Sequence, residues 1–163
     1  MNQTNRHIKG AEHIVPLNLP PINPQWRVDP RRGLTIRDPL RDKYVVLTPE
    51  EWVRQNFVAY LRDTLHYPAG LIANEIGVKL NGTSKRCDTV VFDLQAQPYI
   101  IVEYKAPNVN ITPEVFEQIA RYNMVLRAHY LVVTTGLHHY CCRVDYDTRS
   151  TVFIPDLPPY SSD

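Results

Sequence analysis

Two Thr-Pro-Glu triplets fix where this chain turns helical, and they bracket a middle that reads as strands. At Thr48-Pro49-Glu50-Glu51 the threonine hydroxyl is placed to accept from the unpaired N–H groups of a first helical turn, proline suits the first helical position, and Glu51 completes a capping box. Val53, Phe57, Leu61 and Leu65 then recur every fourth residue as one apolar stripe. Tyr67-Pro68 ends that helix, because the residue before a proline is pushed out of the α region. Thr112-Pro113-Glu114 repeats the cap chemistry and opens a second helix, with Val115, Ile119, Tyr122 and Leu126 at helical spacing.

Between the helices, Leu71 to Leu80 reads as a strand, Asn81-Gly82 as a turn, Thr89 to Leu94 as a second strand and Tyr99 to Tyr104 as a third. After the second helix, Tyr130 to Thr135 is a buried strand ended by Gly136. His139 to Tyr146 and Thr151 to Ile154 form a last hairpin around Asp147-Thr148-Arg149-Ser150. The order helix, three strands, helix, strand and a small C-terminal β extension predicts an α/β fold with a central mixed sheet flanked by helices.

The N-terminal quarter differs. Six of the fourteen prolines (Pro16, Pro20, Pro21, Pro24, Pro30 and Pro39) fall in the first 40 residues, where fixed φ and missing N–H groups disfavour helix and central strand. Residues 1–39 are therefore expected to form an extended arm, and residues 40–163 the domain. Leu17, Leu19, Ile22 and Trp26 argue that the arm lies along the domain or on a second subunit. With 163 residues and 44% apolar content the chain buries one sizeable core, and a net charge of +1 leaves any nucleic-acid contact to a local patch. No apolar run suits a signal peptide or a bilayer span, and three cysteines make no disulfide framework, so a cytoplasmic, reducing location is expected. His138, His139, Cys141 and Cys142 are two adjacent pairs whose neighbours point to opposite strand faces, a poor zinc site.

The chemistry concentrates elsewhere. Asp88 stands at the mouth of Val90-Val91-Phe92, and fifteen residues later Glu103 follows Ile100-Ile101-Val102. Paired strands bring the two carboxylates together as a site for a hard divalent cation, Mg²⁺ first and Mn²⁺ second, with the Tyr104 carbonyl as a further ligand. Lys105, two residues after Glu103, shares its strand face and is placed to position a water and offset developing charge. Gln118 and Tyr122 share one helix face, within reach of substrate phosphate or of the metal ligands, although on the residues alone a core-packed Tyr122 and a Gln118 capping a polar edge are the better explanation. An E-x-K triplet alone recurs by chance; the upstream aspartate and the downstream helix give it weight. Glu51 and Glu75 are further acids, better explained as the capping-box residue and an exposed strand residue. Lys79, Lys85, Arg86, Arg121 and Arg127 either steer a phosphate backbone toward Asp88 or form a solvated surface.

Arg86-Cys87-Asp88, Ile101-Val102-Glu103-Tyr104-Lys105-Ala106-Pro107 and Phe116-Glu117-Gln118-Ile119-Ala120-Arg121-Tyr122-Asn123 together resemble the PD-(D/E)xK nuclease superfamily. Within it, the chain is similar to the N-terminal domain of the type I restriction enzyme R protein, over roughly Leu40 to Ile154. The resemblance implies a restriction-endonuclease-like core (αβββαβ), metal ligation by Asp88 and Glu103, a catalytic role for Lys105, and a Q-x-x-x-Y signature at Gln118 and Tyr122. Cys87 stands where the superfamily's name has proline, at no chemical cost. No G-x-x-x-x-G-K-[ST] loop occurs, so a stand-alone relative is expected rather than a complete ATP-driven subunit. The implied activity is a Mg²⁺-dependent DNA endonuclease in restriction or DNA defence, acting on DNA as a homodimer or with other restriction-system subunits. The competing expectation is a catalytically silent DNA-binding or assembly module on the same fold.

Overall fold

The computed structural model describes residues 7–162, which form two sheets and two principal helices. In the first sheet β1 (Trp26–Asp29), β2 (Gly33–Asp38) and β3 (Lys43–Val46) pair antiparallel in that order. Helix α1 (Pro49–Ala59), prolonged by a π turn at Tyr60–Thr64, leads into the second sheet. There β4 (Ile72–Leu80), β5 (Thr83–Phe92), β6 (Pro98–Tyr104), β7 (Tyr130–Thr134), β8 (His139–Asp145) and β9 (Ser150–Ile154) lie side by side in chain order. Helix α2 (Pro113–Leu126) makes the crossover that the parallel β6–β7 pair requires, and the other neighbours are antiparallel. The fold is α/β with a mixed sheet.

The two helix starts differ in detail. Thr48 Oγ1 accepts from the Glu51 N–H at 3.0 Å, as expected, but the Glu51 carboxylate does not return to Thr48; it turns instead to Gln55 and Arg41. Thr112 makes no side-chain cap bond, and only its carbonyl accepts, from the Val115 N–H at 3.1 Å, so α2 begins on Pro113 without the predicted hydroxyl cap. Asn81 and Gly82 both take positive φ, 48° and 76°, the conformation a two-residue hairpin needs. Strand β5 therefore begins at Thr83, six residues before the start predicted from hydrophobic pattern, because its first half is solvated and polar.

Strand alternation divides the large sheet's side chains between two cores. Ile100, Val102 and Tyr104 join Val53, Phe57, Leu61 and Leu65 on the α1 side; Val90, Ile101 and Val133 join Ile119 and Tyr122 on the α2 side. Each fully buried Val or Ile contributes about 1.5–3 kcal/mol. Cys141 falls in the first core and Cys142 in the second, so the adjacent thiols cannot share a metal.

The extended arm is the largest correction. From Trp26 onward the chain forms β1 and β2, and the expected boundary between residues 39 and 40 falls inside the first sheet, between β2 and β3. The prolines punctuate: Pro20, Pro21 and Pro24 precede β1, Pro30 sits between β1 and β2, and Pro39 follows β2. Leu34 and Ile36 make a third core with Leu47 and Trp52, against which Leu17 and Ile22 pack, while Leu19 packs on the α1 core. Trp52 Nε1 donates to the Val15 carbonyl at 2.9 Å, and Trp26 stacks on Trp52 with ring centroids 6.0 Å apart. Leu17, Leu19 and Ile22 are thus partly covered by their own domain, whereas Trp26 stays 37% and Val28 59% exposed. With both faces covered, α1 is buried from Glu51 through Ala59. The first six residues of the predicted arm lie outside the described residues. No helix among the described residues is long and apolar enough to cross a membrane.

Candidate active site

The β5–β6 ladder ends at the pair Thr89–Val102, and one step further Asp88 and Glu103 meet where β5 leaves the sheet. Glu103 lies one residue from the end of β6, as expected; Asp88 sits within β5 because a hairpin continues beyond it. The Tyr104 N–H donates to Asp88 Oδ2 at 2.9 Å and so fixes one carboxylate from the strand that carries the other. Lys105 Nζ stands 3.4 Å from Glu103 Oε1, and the Lys105 N–H is anchored on the Thr134 carbonyl at 2.9 Å. From α2, Gln118 Nε2 donates to Glu103 Oε1 at 3.1 Å and reaches the Tyr122 hydroxyl at 3.4 Å. Asp88, Glu103, Lys105, Gln118 and Tyr122 are brought to one place. Tyr122 does two things at once, its ring packed in the α2 core and its hydroxyl on Gln118.

The charges here are incompletely compensated. Glu103 is 5% exposed, and burial, then the neighbouring Asp88 charge, push its carboxyl up to about 7, against the pull of Lys105. Burial raises Asp88 as well, opposed by the Tyr104 N–H and Arg54. Glu103 Oε2 is buried with no hydrogen-bond partner. An orphaned carboxylate oxygen beside a second carboxylate is relieved by a hard cation. Among the described residues no group of three or more His, Cys, Asp or Glu is arranged to hold a metal ion. Two carboxylates suit Mg²⁺ nonetheless, since that ion keeps several waters and is held through one or two acids rather than an all-protein cage.

Behind the pair lies a network that sequence reading missed. Arg54 on α1, almost fully buried, places its guanidinium 3.4 Å from Glu51, 2.8 Å from Glu75 and 3.8 Å from Asp88. Burial opposes its charge, but Glu51 and Glu75 more than offset that and raise its pKa. Glu75 is not the simple exposed strand residue expected: it takes φ 61° opposite Asp88, between the paired residues Asn74–Thr89 and Ile76–Cys87. Arg54 holds its carboxyl below the usual range despite partial burial. A polar seam continues from there. Arg41 bonds the fully buried Asp38, Asn74 Nδ2 donates to Asp38 at 3.2 Å, Thr89 donates to Asn74 at 2.7 Å, and the Tyr104 hydroxyl donates to Thr89 at 2.9 Å. The only local hint was an arginine three residues after Glu51 on an apolar helix, a spacing that favours an ion pair.

Three concavities lie elsewhere, one of about 370 Å³ beside Pro21, Arg37 and Gln55, one of about 500 Å³ beside Leu19, Tyr60 and His138, and one of about 590 Å³ beside Ile111, Phe116 and Phe153. His139 is engaged by Thr134 and the Asn18 carbonyl, at 2.7 and 2.9 Å.

The family model for the type I restriction enzyme R protein N terminus matches residues 49–158, which include Arg54, Glu75, Asp88, Glu103, Lys105, Gln118 and Tyr122. No curated protein matches the chain. Among solved structures, a chain described as a fragment of an HsdR subunit of a type I restriction enzyme from Vibrio vulnificus is similar, at 19% identity and a TM-score of 0.50. The likeness covers 67% of this chain and 23% of that one, so the chain spans under a quarter of that structure's length and shares a fold with part of it.

Proposed function

Because the chain belongs to the family of type I restriction enzyme R protein N termini, we propose that it is a Mg²⁺-dependent DNA endonuclease of a restriction system, with a restriction-endonuclease-like core and Mn²⁺ as an alternative ion. The observation that carries this reading is the buried, unpartnered Oε2 of Glu103 beside Asp88. A bound Mg²⁺ supplies Lewis acidity at the scissile phosphate and acidifies a water. The chain's residues do the rest. Asp88, held by the Tyr104 N–H, and Glu103, held by Gln118, would hold the ion through their carboxylate oxygens, and the Tyr104 carbonyl would be a further ligand. Lys105 Nζ, 3.4 Å from Glu103, orients the attacking water and offsets charge gathering on the phosphate oxygens. Tyr122 positions Gln118. One site cuts one strand, so double-strand cleavage calls for a second copy or another restriction subunit.

The second reading, a silent DNA-binding or assembly module, is favoured by the absence of a third metal-ligating side chain among the described residues. Cleavage of plasmid and oligonucleotide DNA with Mg²⁺ or Mn²⁺, comparing wild type with Lys105→Ala, separates them. Cleavage lost in the variant supports the nuclease. Cleavage that is absent from the wild type, or equal in both, overturns it.

A further inference from the structure

The β4–β5 hairpin outruns the sheet. Its pairing continues from Ile76–Cys87 to Leu80–Thr83, whereas β5 pairs with β6 only from Thr89. Residues 76–87 are therefore a two-stranded ribbon leaving the sheet beside Asp88. The ribbon carries Lys79, Lys85 and Arg86 and no acidic residue, and every residue from Asn81 to Arg86 is exposed. Elsewhere the nearby cations are engaged: Arg121 lies 3.9 Å from Glu117, and Arg127 stacks 4.4 Å from the Tyr146 ring centre. Lys79 and Lys85 make no ion pair among the described residues, and Arg86, 75% exposed, has only Glu75 at 3.6 Å.

We propose that this ribbon enters the major groove of duplex DNA and guides a strand to Asp88 and Glu103, an inference that rests on the nuclease reading. Its stiffness comes from Ile76, Val78, Leu80 and Cys87, which pack with Ile119 and Tyr122 of α2. Strand alternation puts Ser84, Arg86 and Asp88 on one face of β5, so Arg86 stands about 7 Å along the strand from Asp88. The register sets Lys79 opposite Ser84, and Gly77 opposite Arg86 with open space where a side chain would be. That face offers cations and hydrogen-bonding groups, not apolar bulk. A two-stranded ribbon fits the major groove of B-form DNA, about 12 Å wide, and is shut out of the deep, narrow major groove of A-form RNA.

The test is fluorescence anisotropy with a 20-base-pair DNA duplex in EDTA, using the full chain, where no cleavage interferes. Replacing Lys79 and Arg86 together by alanine is expected to weaken binding at least about tenfold and to reduce the slope of log affinity against log salt by about 2. Wild type is expected to bind double-stranded RNA of the same sequence at least about tenfold more weakly, since the groove is closed to it. The single change Lys79→Glu, at an exposed position opposite Ser84, repeats the test should the double variant misfold. An unchanged slope and affinity, equal affinity for the RNA duplex, or no duplex binding by wild type overturns the ribbon. Cleavage read separately with Mg²⁺ keeps the two ideas apart: binding that depends on the ribbon without any cleavage overturns the nuclease alone, and cleavage indifferent to the ribbon variants overturns the ribbon alone.

Discussion

Two clusters of charge lie back to back around β5 and β6, and they are finished to different degrees. On the α1 side Asp38, Arg41, Glu51, Arg54 and Glu75 alternate in sign, and every carboxylate faces a guanidinium. On the other side Asp88 and Glu103 are adjoining like charges, Lys105 stands 3.4 Å from Glu103, Arg54 comes no closer than 3.8 Å to Asp88, and a Glu103 oxygen goes unpartnered. Buried polar groups that are matched hold a fold in one arrangement, whereas an unmatched one keeps a demand that a ligand satisfies. Both clusters are buried, so burial alone does not mark the site. Nor does an unpartnered atom alone, since Arg54 Nε on the α1 side lacks a hydrogen-bond partner as well; what marks the site is an unpartnered carboxylate oxygen where like charges adjoin.

The largest way to break this contrast is Arg54→Met. Removing the cation leaves Glu51, Glu75 and Asp88 facing one another, and a loss of about 3–5 kcal/mol in urea denaturation is expected. A loss under about 1 kcal/mol would show that the α1 cluster holds nothing together. On the α2 side the effect has the opposite sign: Mg²⁺ is expected to raise the melting temperature, by about 2.7 kcal/mol of stability at a hundred times the dissociation constant, and Asp88→Asn to abolish the rise. That rise should fade as pH falls through about 7, the value to which Glu103 is pushed, because protons then compete with the ion. Fading only near 4.5, the ordinary carboxyl value, would place the ion elsewhere.

Without metal, Glu103→Gln sharpens the comparison further. A carboxyl whose folded pKa is raised is stabilising to the fold below its unfolded value and loses that contribution as pH rises toward 7. Above pH 7 the variant is therefore expected to melt a few degrees higher than wild type, at about 2–4 °C per kcal/mol, with the gap closing below pH 4.5. The smallest effect separates the helix starts: Thr48→Ala should cost about 1 kcal/mol and Thr112→Ala almost nothing, since only Thr48 makes its cap bond.

Much of the larger sheet was legible because its signals are local. Thr48-Pro49, Thr112-Pro113 and Asn81-Gly82 each set backbone geometry within a few residues, and the spacing from Asp88 to Lys105 implies paired strands. The first sheet was hidden because its prolines read as prohibitions when they mark turns. The first half of β5 was hidden because a solvated ribbon has no apolar alternation to display. The α1 charge network was illegible for another reason: Asp38 meets Asn74 across 36 positions, and Arg54 meets Glu75 across 21. No window along the chain contains either pair.

The first sheet's attachment to α1 also bears on how small the cooperative folding unit can be. The family match begins at Pro49, yet Leu34, Ile36 and Leu47, which complete the core around Trp52, and Asp38, which closes the polar seam, all precede it. A fragment trimmed to residues 49–158 retains every candidate catalytic side chain and opens one flank of α1 to water. Inactivity of such a fragment would report a collapsed scaffold rather than absent chemistry, because the stretch that carries the signature is shorter than the stretch that keeps it folded.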